Sequence, residues 1–533
     1  MASFNPYTPT TTITKAMFNF DATGGTNYTY NDIIRVAVSD SFSVADFSNG
    51  HFFSELYTNG AAEVIWTEPM LTGVQGTLDI IQQFVKVDLR WQGDIDTLGD
   101  QTVVNPAAVA AADKADINIA LVSRSDTSWS GISGGNTDDT FEYPGGAGDV
   151  FIDSNYFGTG INFDLGSPSR TTLMHEILHS LGLSHPHSDY NNGIPIITHD
   201  FAATRTLGFD KLGFRTATPT DMYKEFFTIM SYDDQSGTGE PHTPMILDVI
   251  ALQQAYGEGS GTQGAGNDTI AIGTSGYRVY FDKGGTDTID LKAYTGGAYL
   301  HMGTTIVGAS HWVGVAMSAA DGAKLHLVGG DPQNLRWFYG EFENASGSAG
   351  ADRIVGNSLA NHITALGAAD RIYGGAGNDV LDGGAGADTI AGGAGNDRLI
   401  GGAGDDILNG GAGNDRMSGR SGKDIFVFDK TALGGIDQIL DFRQADDTID
   451  LDNAVFSKLV KTGSLSADNY RESSTGAARD GNDFILYNTH TGALLYDADG
   501  NGAGHARQFA TLWDNVSTHP TASELAPLDF VII

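Results

Sequence analysis

Three histidines and one glutamate lie within eleven residues in the stretch HEILHSLGLSH, which begins at His175. Residues four apart share one face of a helix, so the imidazoles of His175 and His179 can reach the same metal ion. Gly182 can end the helix with a positive φ, after which the chain can turn and supply a third imidazole from His185. Three neutral imidazoles and an open coordination position are typical of catalytic zinc.

Glu176 follows the first histidine and can reach a water molecule on the same metal. Zinc lowers the pKa of its water towards neutrality, and a neighbouring carboxylate can accept the proton. Two other interpretations are a helix that contains histidines by chance and a zinc ion with a purely structural role. A structural site has no use for a glutamate beside an open position, so the pattern favours hydrolysis.

The chain up to about Gly257 alternates strand and helix patterns. Residues 84–91 and 115–123 alternate apolar and polar side chains, which predicts half-buried strands. Residues 167–182 have a serine near the start, helical apolar spacing and a final glycine, and residues 245–257 also end in glycine. Both segments are predicted helices, so the region is expected to be an α+β or α/β domain.

From about Gly264 the chain is rich in Gly, Asp and β-branched residues, and a period of nine residues develops. Residues 374–427 form six units of the type GGAGNDVLD, and residues 347–373 form three degenerate units. A fixed short period indicates a solenoid. Each GGxGxD turn exposes carbonyl groups because glycine tolerates positive φ, and the next three residues form a strand with one inward apolar side chain. A flexible glycine-rich linker would not keep aspartate and an apolar residue in phase.

Two units are predicted to form one coil, so that aspartates 18 residues apart stack and pockets for calcium form between the turns. In the second unit, His362 is expected to interrupt the column. The aspartates of the column are Asp352, Asp370, Asp379, Asp388, Asp397, Asp406, Asp415 and Asp424. The glycines expected to line the pockets are Gly374, Gly375, Gly377, Gly383, Gly384, Gly386, Gly392, Gly393, Gly395, Gly401, Gly402, Gly404, Gly410, Gly411 and Gly413.

Composition restricts the classes of partner. The net charge of −37 argues against nucleic acid and anionic membrane surfaces. Of the 66 acidic residues 12 are glutamate and 54 are aspartate, the short carboxylate of calcium loops. The absence of cysteine excludes disulfides, thiol catalysis and cysteine zinc sites. No apolar run is long enough for a membrane span, and the first residues lack the features of a Sec signal peptide.

The zinc pattern resembles that of a known family. HEILHSLGLSHP resembles the HExxHxxGxxH motif of metzincin metallopeptidases, and its proline resembles the serralysin branch. TIMSY at 228–232 resembles the Met-turn beneath the zinc, which implies that Met230 is the Met-turn residue and Tyr232 a further zinc ligand. The nonapeptides resemble the RTX β-roll of the same family. The resemblance covers roughly residues 80–533.

Segments beside the repeats extend this resemblance. DKGGTDTIDL and EFENASGSAGAD resemble flanking calcium segments, which implies further calcium ligands at Asp282, Gly284, Asp287, Glu341 and Glu343. The terminal DFVII resembles the C-terminal signal of type I secretion, with one apolar residue more than usual. On pattern alone the same residues are an ordinary last strand.

The expected fold class is an α+β metzincin-like catalytic domain followed by an all-β parallel β-roll. Residues 1–80 match no family segment and are expected to be a propeptide or an extra element. The catalytic domain is expected at 81–257, the calcium-binding β-roll at 258–430, and a C-terminal β region with the secretion signal at 431–533. The segment between His185 and Met230 is longer than the family pattern, and its residues 191–225 could place a loop over the cleft.

The resemblance implies a secreted, extracellular zinc-dependent endopeptidase, expected as a monomer. One zinc ion is held by three histidines and Tyr232, Glu176 acts as the general base, and Tyr232 leaves the metal to bind the oxyanion. Several structural calcium ions, protein or peptide substrates and the type I secretion machinery are the implied partners. The alternative is a non-enzymatic calcium-binding surface or adhesion protein with a vestigial peptidase domain. A lipase on similar repeats ranks last, because no GxSxG lies at a plausible strand-to-helix elbow.

Overall fold

The computed structural model describes most of the chain in separate segments. These are residues 33–39, 62–63, 66–94, 117–123, 131–133, 149–153, 161–181, 183, 228–229, 241–262, 265–306, 309–323, 334–429, 434–502, 504–512 and 525–533. Among these residues no helix is both long and apolar enough to cross a membrane.

In the N-terminal part, the described residues form a six-stranded sheet. Its strands are β1 (Ile33–Ser39), β2 (Ala62–Glu63), β3 (Asp88–Asp94), β4 (Ile117–Ser123), β5 (Gly131–Ser133) and β6 (Asp149–Asp153). The order is β3-β1-β4-β6-β5, with β2 paired to β4. Strands β3, β1, β4 and β6 are parallel, and the edge strand β5 is antiparallel to β6. The strand predicted at 115–123 is confirmed, whereas the prediction for 84–91 is correct only from Asp88 onwards.

Three helices of the described residues accompany this sheet: α1 (Glu68–Phe84), α2 (Pro168–Ser180) and α3 (Ile246–Tyr256). The predictions for α2 and α3 are confirmed, and α1 was not predicted. Ser167 begins α2, and its hydroxyl accepts a hydrogen bond from the backbone N–H of Arg170.

The N-terminal core lies between these helices and the sheet. Helix α2 packs on β5 and β6, and α1 contacts β3, α2 and α3. Leu78, Val150, Leu178 and Ile250 are fully buried there, each of which stabilises the fold by roughly 1.5–3 kcal/mol. The same core includes Trp337 from the following sheet, so apolar packing continues into the C-terminal part.

Two twelve-stranded sheets form the rest of the described chain. Their strands are β7 (Thr269–Ala271), β8 (Tyr277–Phe281), β9 (Thr288–Asp290), β10 (Ala298–Thr305), β11 (Trp312–Ser318), β12 (Leu335–Tyr339), β13 (Asn344–Ser346), β14 (Arg353–Val355), β15 (His362–Thr364), β16 (Arg371–Ala376), β17 (Val380–Ala385), β18 (Thr389–Ala394), β19 (Arg398–Ala403), β20 (Ile407–Ala412), β21 (Arg416–Ser421), β22 (Ile425–Phe428), β23 (Asp437–Ile439), β24 (Thr448–Leu451), β25 (Gly463–Ser464), β26 (Tyr470–Ser473), β27 (Ile485–Asn488), β28 (Ala493–Tyr496), β29 (Arg507–Leu512) and β30 (Phe530–Ile532). A short helix, α4 (Ala319–Gly322), packs on β10 and β11. One sheet has the order β25-β30-β24-β22-β20-β18-β16-β14-β10-β11-β12-β8, and the other β26-β27-β28-β29-β23-β21-β19-β17-β15-β13-β9-β7.

The register of these sheets confirms the predicted roll. Successive repeat strands alternate between the two sheets, and each pairs in parallel with the strand two units further on, as Arg371 does with Thr389. The middle apolar residue of each unit is fully buried between the sheets, including Ile372, Leu381 and Ile390. Two nonapeptides therefore form one coil.

The last strand, β30, lies between β24 and β25. It is parallel to β24 and antiparallel to β25, and its residues Phe530 and Ile532 are buried. The segment DFVII thus forms the ordinary last strand that its pattern suggested, and its role as a secretion signal stays a prediction.

Candidate active site and calcium sites

Helix α2 carries two of the predicted zinc ligands and the predicted base. His175 and Glu176 are buried, and His179 is partly buried. The imidazole centroids of His175 and His179 lie 4.7 Å apart, with an interplanar angle of 80°. The spacing of four residues therefore brings the two rings together, as the sequence predicted.

Backbone carbonyl groups hold both imidazoles. His175 Nδ1 lies 2.8 Å from Ile229 O, and His179 Nδ1 lies 2.7 Å from Leu183 O. Because a carbonyl oxygen can only accept, each Nδ1 carries the proton, and in the neutral ring Nε2 keeps its lone pair. Metal-bound histidines are usually oriented in this way.

The surroundings of His179 favour the neutral ring. Burial, together with the nearby His175, lowers the pKa of His179 to about 3, whereas the Leu183 carbonyl opposes the shift. A ring that is neutral at physiological pH offers its lone pair to a metal without first losing a proton.

Asp248, near the start of α3, supports the carbonyl that holds His175. Its carboxylate accepts hydrogen bonds from Thr228 Oγ1 at 2.5 Å, Ile229 N at 2.9 Å and Met245 N at 2.8 Å. Burial raises the pKa of Asp248 to about 7, and these hydrogen bonds oppose the shift. Asp248 therefore fixes the short Thr228–Ile229 segment from which the His175 contact comes.

Sequence reasoning missed Asp248. An acidic residue in the first turn of a helix is ordinary, because it stabilises the positive end of the helix dipole. The available signal was its place three residues after Met245, where it can cap the helix, but nothing in that spacing points to Thr228.

The remaining predicted zinc-site residues, His185, Met230 and Tyr232, lie outside the described residues, as does the segment 191–225. Their roles stay predictions. The described Ile229, which directly precedes Met230 in the sequence, contacts His175 through its carbonyl oxygen.

The imidazoles of His175 and His179, which backbone carbonyl groups hold in place beside the buried Glu176, are suitable ligands for zinc. In the described part of the chain no three His, Asp or Glu side chains converge as a metal-binding group. For zinc, the third imidazole would come from His185. At the expected calcium turns most ligands are backbone carbonyl groups, so a calcium site there does not need three converging side chains.

The repeat aspartates form two columns along the roll. Asp370 Oδ1 accepts from the backbone N–H of Asp352 at 2.7 Å, and Asp388 Oδ1 accepts from that of Asp370 at 2.8 Å. One oxygen of each carboxylate thus joins successive turns. The other oxygen, Oδ2, is buried without a hydrogen-bond partner in Asp370, Asp379, Asp388, Asp397, Asp406, Asp415 and Asp424.

The first glycine of each turn faces this unpartnered oxygen. A Cβ built on Gly383 would lie 2.7 Å from Gly401 O and closer still to Asp388 Oδ2. A methyl group would therefore fill a space on which a carboxylate and a carbonyl oxygen converge. Calcium prefers such oxygen ligands, so the turns fit calcium.

Burial makes the metal-free turns unfavourable at neutral pH. It raises the pKa of Asp370, Asp397 and Asp406 to about 7, and neighbouring aspartates add to the shift. It raises the pKa of Asp379 and Asp424 to about 6. A divalent cation stabilises the ionised form of these carboxylates and so reverses the shift.

Both columns continue beyond the nonapeptides. Asp437 Oδ1 accepts from Asp415 N at 3.0 Å, and Asp447 Oδ1 accepts from Asp424 N at 3.1 Å. These partners lie 22 and 23 residues apart in the sequence rather than 18. Sequence reasoning missed both residues, because longer connections break the period of nine.

The predicted interruption at His362 was wrong by one position. Asn361 occupies the place of the aspartate and donates its backbone N–H to Asp379 Oδ1 at 2.7 Å, while His362 is exposed. Asp352 also differs from the other aspartates. Its two oxygens accept hydrogen bonds from the backbone N–H and the hydroxyl of Ser348.

The flanking segments contribute another group of carboxylates. Asp282 and Asp287 are buried, and Asp282 Oδ1 and Asp287 Oδ2 have no hydrogen-bond partner. Gly284 N donates to Asp282 Oδ2 at 2.9 Å, and Asp287 N donates to Glu343 Oε2 at 2.8 Å. The structure thus pairs Gly284 with Asp282 and Asp287 with Glu343, whereas Glu341 is exposed.

The repeat region matches a known family model. The RTX calcium-binding nonapeptide repeat matches in four copies, at residues 346–381, 355–390, 364–399 and 391–426. These copies contain all the column aspartates that were predicted from the sequence.

Metallopeptidases are among the proteins similar to the chain. Metallopeptidase AprA of Pseudomonas marginalis is 28% identical over 389 residues, 62% of this chain and 74% of the relative. Metalloprotease AprA of Pseudomonas entomophila is 30% identical over 37% of this chain and 38% of that protein. Serralysin G of Dickeya chrysanthemi is 29% identical over 43% of this chain and 46% of the relative. The chain therefore matches less than half the length of the last two proteins.

Proposed function

We propose that this chain, a serralysin-like protein with RTX repeats, is a secreted zinc-dependent endopeptidase whose roll is held together by calcium. The observation that carries the proposal is the pair His175 and His179 on one buried helix, each held through Nδ1 by a backbone carbonyl. Glu176 lies beside them on the same helix. Residues 81–257 are assigned to the catalytic domain together with the preceding β1, β2 and α1, which belong to the same sheet and core, and residues 258–430 to the roll.

The proposed zinc ligands are His175, His179, His185 and Tyr232. Bound zinc acidifies water and polarises the carbonyl group of a peptide. Glu176 accepts the proton of the attacking water and passes it to the leaving amine. Tyr232 donates a hydrogen bond to the oxyanion.

The edge strand β5 is the proposed support for an extended substrate. It ends the described N-terminal sheet, and α2 packs against it. An extended peptide can pair with the free edge of such a strand through main-chain hydrogen bonds. The acidic character of the chain disfavours strongly acidic substrates.

Calcium binding is proposed to couple the roll to secretion. Without calcium the ionised aspartates of the columns repel one another and their buried Oδ2 atoms lack hydrogen-bond partners, so the roll does not close at neutral pH. The chain would then pass through a type I secretion system unfolded and fold in extracellular calcium. The alternative, a calcium-binding surface protein without peptidase activity, is supported by the roll alone. It does not explain why His175, Glu176 and His179 lie together on α2.

Exchanging a histidine tests the zinc assignment. In His179→Gln we expect zinc to be lost on dialysis and casein hydrolysis to fall to background, because one of the imidazole ligands is gone. His362→Gln, an exposed histidine of the roll, is the matched control and should keep both zinc and activity. Retention of zinc and activity by His179→Gln would show that the metal lies elsewhere.

A further inference from the structure

One column of aspartates ends at a turn that differs from those inside the roll. This column runs through Asp388, Asp406 and Asp424, and Asp447 continues it directly before β24, the parallel neighbour of β22. Asp424 is fully buried, and its Oδ2 has no hydrogen-bond partner, as in the interior turns. The last turn therefore has the same need for a cation.

A basic side chain reaches this turn. Arg443 Nη2 lies 2.5 Å from Gly422 O, 3.9 Å from Asp424 Oδ2 and 3.7 Å from Asp447 Oδ1. The backbone N–H of Arg443 also donates to Asp447 Oδ2 at 2.7 Å, which holds the residue beside the turn. One carbonyl and two carboxylate oxygens thus surround one guanidinium nitrogen.

No described arginine or lysine side chain reaches the interior turns in this way. Among the described residues, Asp424 and Asp447 are the only column aspartates whose carboxylate lies within 4 Å of an arginine or lysine side-chain nitrogen. Asp388 and Asp406 present the same buried, unpartnered Oδ2, so their cation has to come from solution. At the end of the column the chain itself supplies the positive charge.

We propose that the guanidinium of Arg443 takes the place of a calcium ion at the last turn of this column. The inference rests on the proposed calcium binding of the roll and is independent of peptide hydrolysis. The guanidinium is charged at all physiological pH values and cannot diffuse away. The negative charge of the last turn is therefore neutralised without a metal ion, whereas that of the interior turns is neutralised only when calcium binds.

Removing the guanidinium should convert the turn into a calcium site. In Arg443→Gln, Gly422 O and the carboxylates of Asp424 and Asp447 remain as a set of oxygen ligands of the kind that calcium binds. The glutamine is too short and uncharged to neutralise them. The variant should therefore bind one calcium ion more per chain than the wild type.

Native mass spectrometry of the full chain in calcium solutions tests this count. We expect one additional ion in Arg443→Gln and none in Arg443→Lys, which keeps a positive charge near the turn. Arg416→Gln is the charge-matched control, because Arg416 is an exposed arginine of the roll. It should bind the same number of ions as the wild type.

A calcium titration followed by circular dichroism covers the case in which Arg443→Gln folds poorly. The inference predicts that excess calcium restores the roll of this variant, with a midpoint at higher calcium than in the wild type. An unchanged ion count in the folded variant, or a roll that no calcium concentration restores, would overturn it. A wild type that binds no calcium would instead overturn the proposed function of the roll, and the inference with it.

Discussion

Replacing Asp248 with alanine is expected to destabilise the N-terminal part of the chain. The change removes the acceptor of three hydrogen bonds, and the donor residues Thr228, Ile229 and Met245 are all buried. Two of the donors are backbone N–H groups that cannot turn towards water, and each unsatisfied buried donor costs about 1–3 kcal/mol. The hydroxyl of Thr228 can rotate, and the loss of a buried carboxylate removes its own desolvation cost. We expect a net decrease of about 2–4 kcal/mol in the free energy of unfolding.

The same change should also weaken zinc binding. Asp248 fixes Ile229, and the Ile229 carbonyl orients His175. Loss of a partner that orients a metal ligand typically lowers metal affinity by about 10–100-fold. Asp248→Asn should lie close to the wild type, because its amide oxygen can accept from both backbone donors and its NH₂ can donate to Thr228.

Urea unfolding and the rate of zinc transfer to a coloured chelator measure the two effects. Asp79→Ala, at an exposed position of α1, controls for the loss of one negative charge. The reasoning is refuted if Asp248→Ala unfolds at the same urea concentration as Asp79→Ala and releases zinc at the same rate.

Three further outcomes follow from the described residues. Burial raises the folded-state pKa of Asp397 and Asp406 to about 7, above the unfolded value of about 3.9. These groups therefore stabilise the metal-free roll below about pH 4, and this contribution is lost as pH rises to about 7. Circular dichroism of the calcium-free chain should show more folded roll at pH 5 than at pH 8. The reverse order would contradict the assignment. Gly392→Ala should remove one calcium ion per chain, because its Cβ would lie 2.5 Å from Gly410 O and closer to the Asp397 carboxylate; Gly273→Ala, with open space around its Cβ, should bind as the wild type does. Ser167→Ala removes the N-cap of α2 and should lower the free energy of unfolding by about 1 kcal/mol in urea titrations, whereas no change would mean that the cap contributes nothing.

The roll was predictable because its information is local and repeated. Each unit carries its own turn glycines, its aspartate and one apolar residue, and stacking two units per coil fixes the register. Asp437 and Asp447 escaped prediction because the connections before them are longer than a unit. Only the hydrogen bonds that they accept from the backbone N–H groups of Asp415 and Asp424 identify them as members of the columns.

Helix α1 was overlooked because glycines weaken its signal. Val74, Leu78 and Ile81 have the spacing of a buried helical face, and all are fully buried. Gly73 and Gly76 lower the helix propensity of the same segment. The structure explains why they are there. A Cβ on Gly73 would collide with Phe163, and one on Gly76 would lie 3.0 Å from the Arg170 guanidinium.

At the candidate active site, the sequence predicted the residues of one helix but not their support. The spacing of His175 and His179 follows from helix geometry, so their proximity could be foreseen. The carbonyl of Ile229 and the carboxylate of Asp248 come from distant segments, and only the tertiary fold brings them to α2.

The central claim, hydrolysis of peptide bonds with Glu176 as the base, is tested most directly by comparing casein hydrolysis by the wild type and by Glu176→Ala. Both proteins should be loaded with calcium, and bound zinc should be quantified in each. We predict that the wild type cleaves and that the variant keeps its zinc without cleaving. A variant that cleaves at the wild-type rate, or a zinc-loaded wild type that does not cleave, would contradict the account.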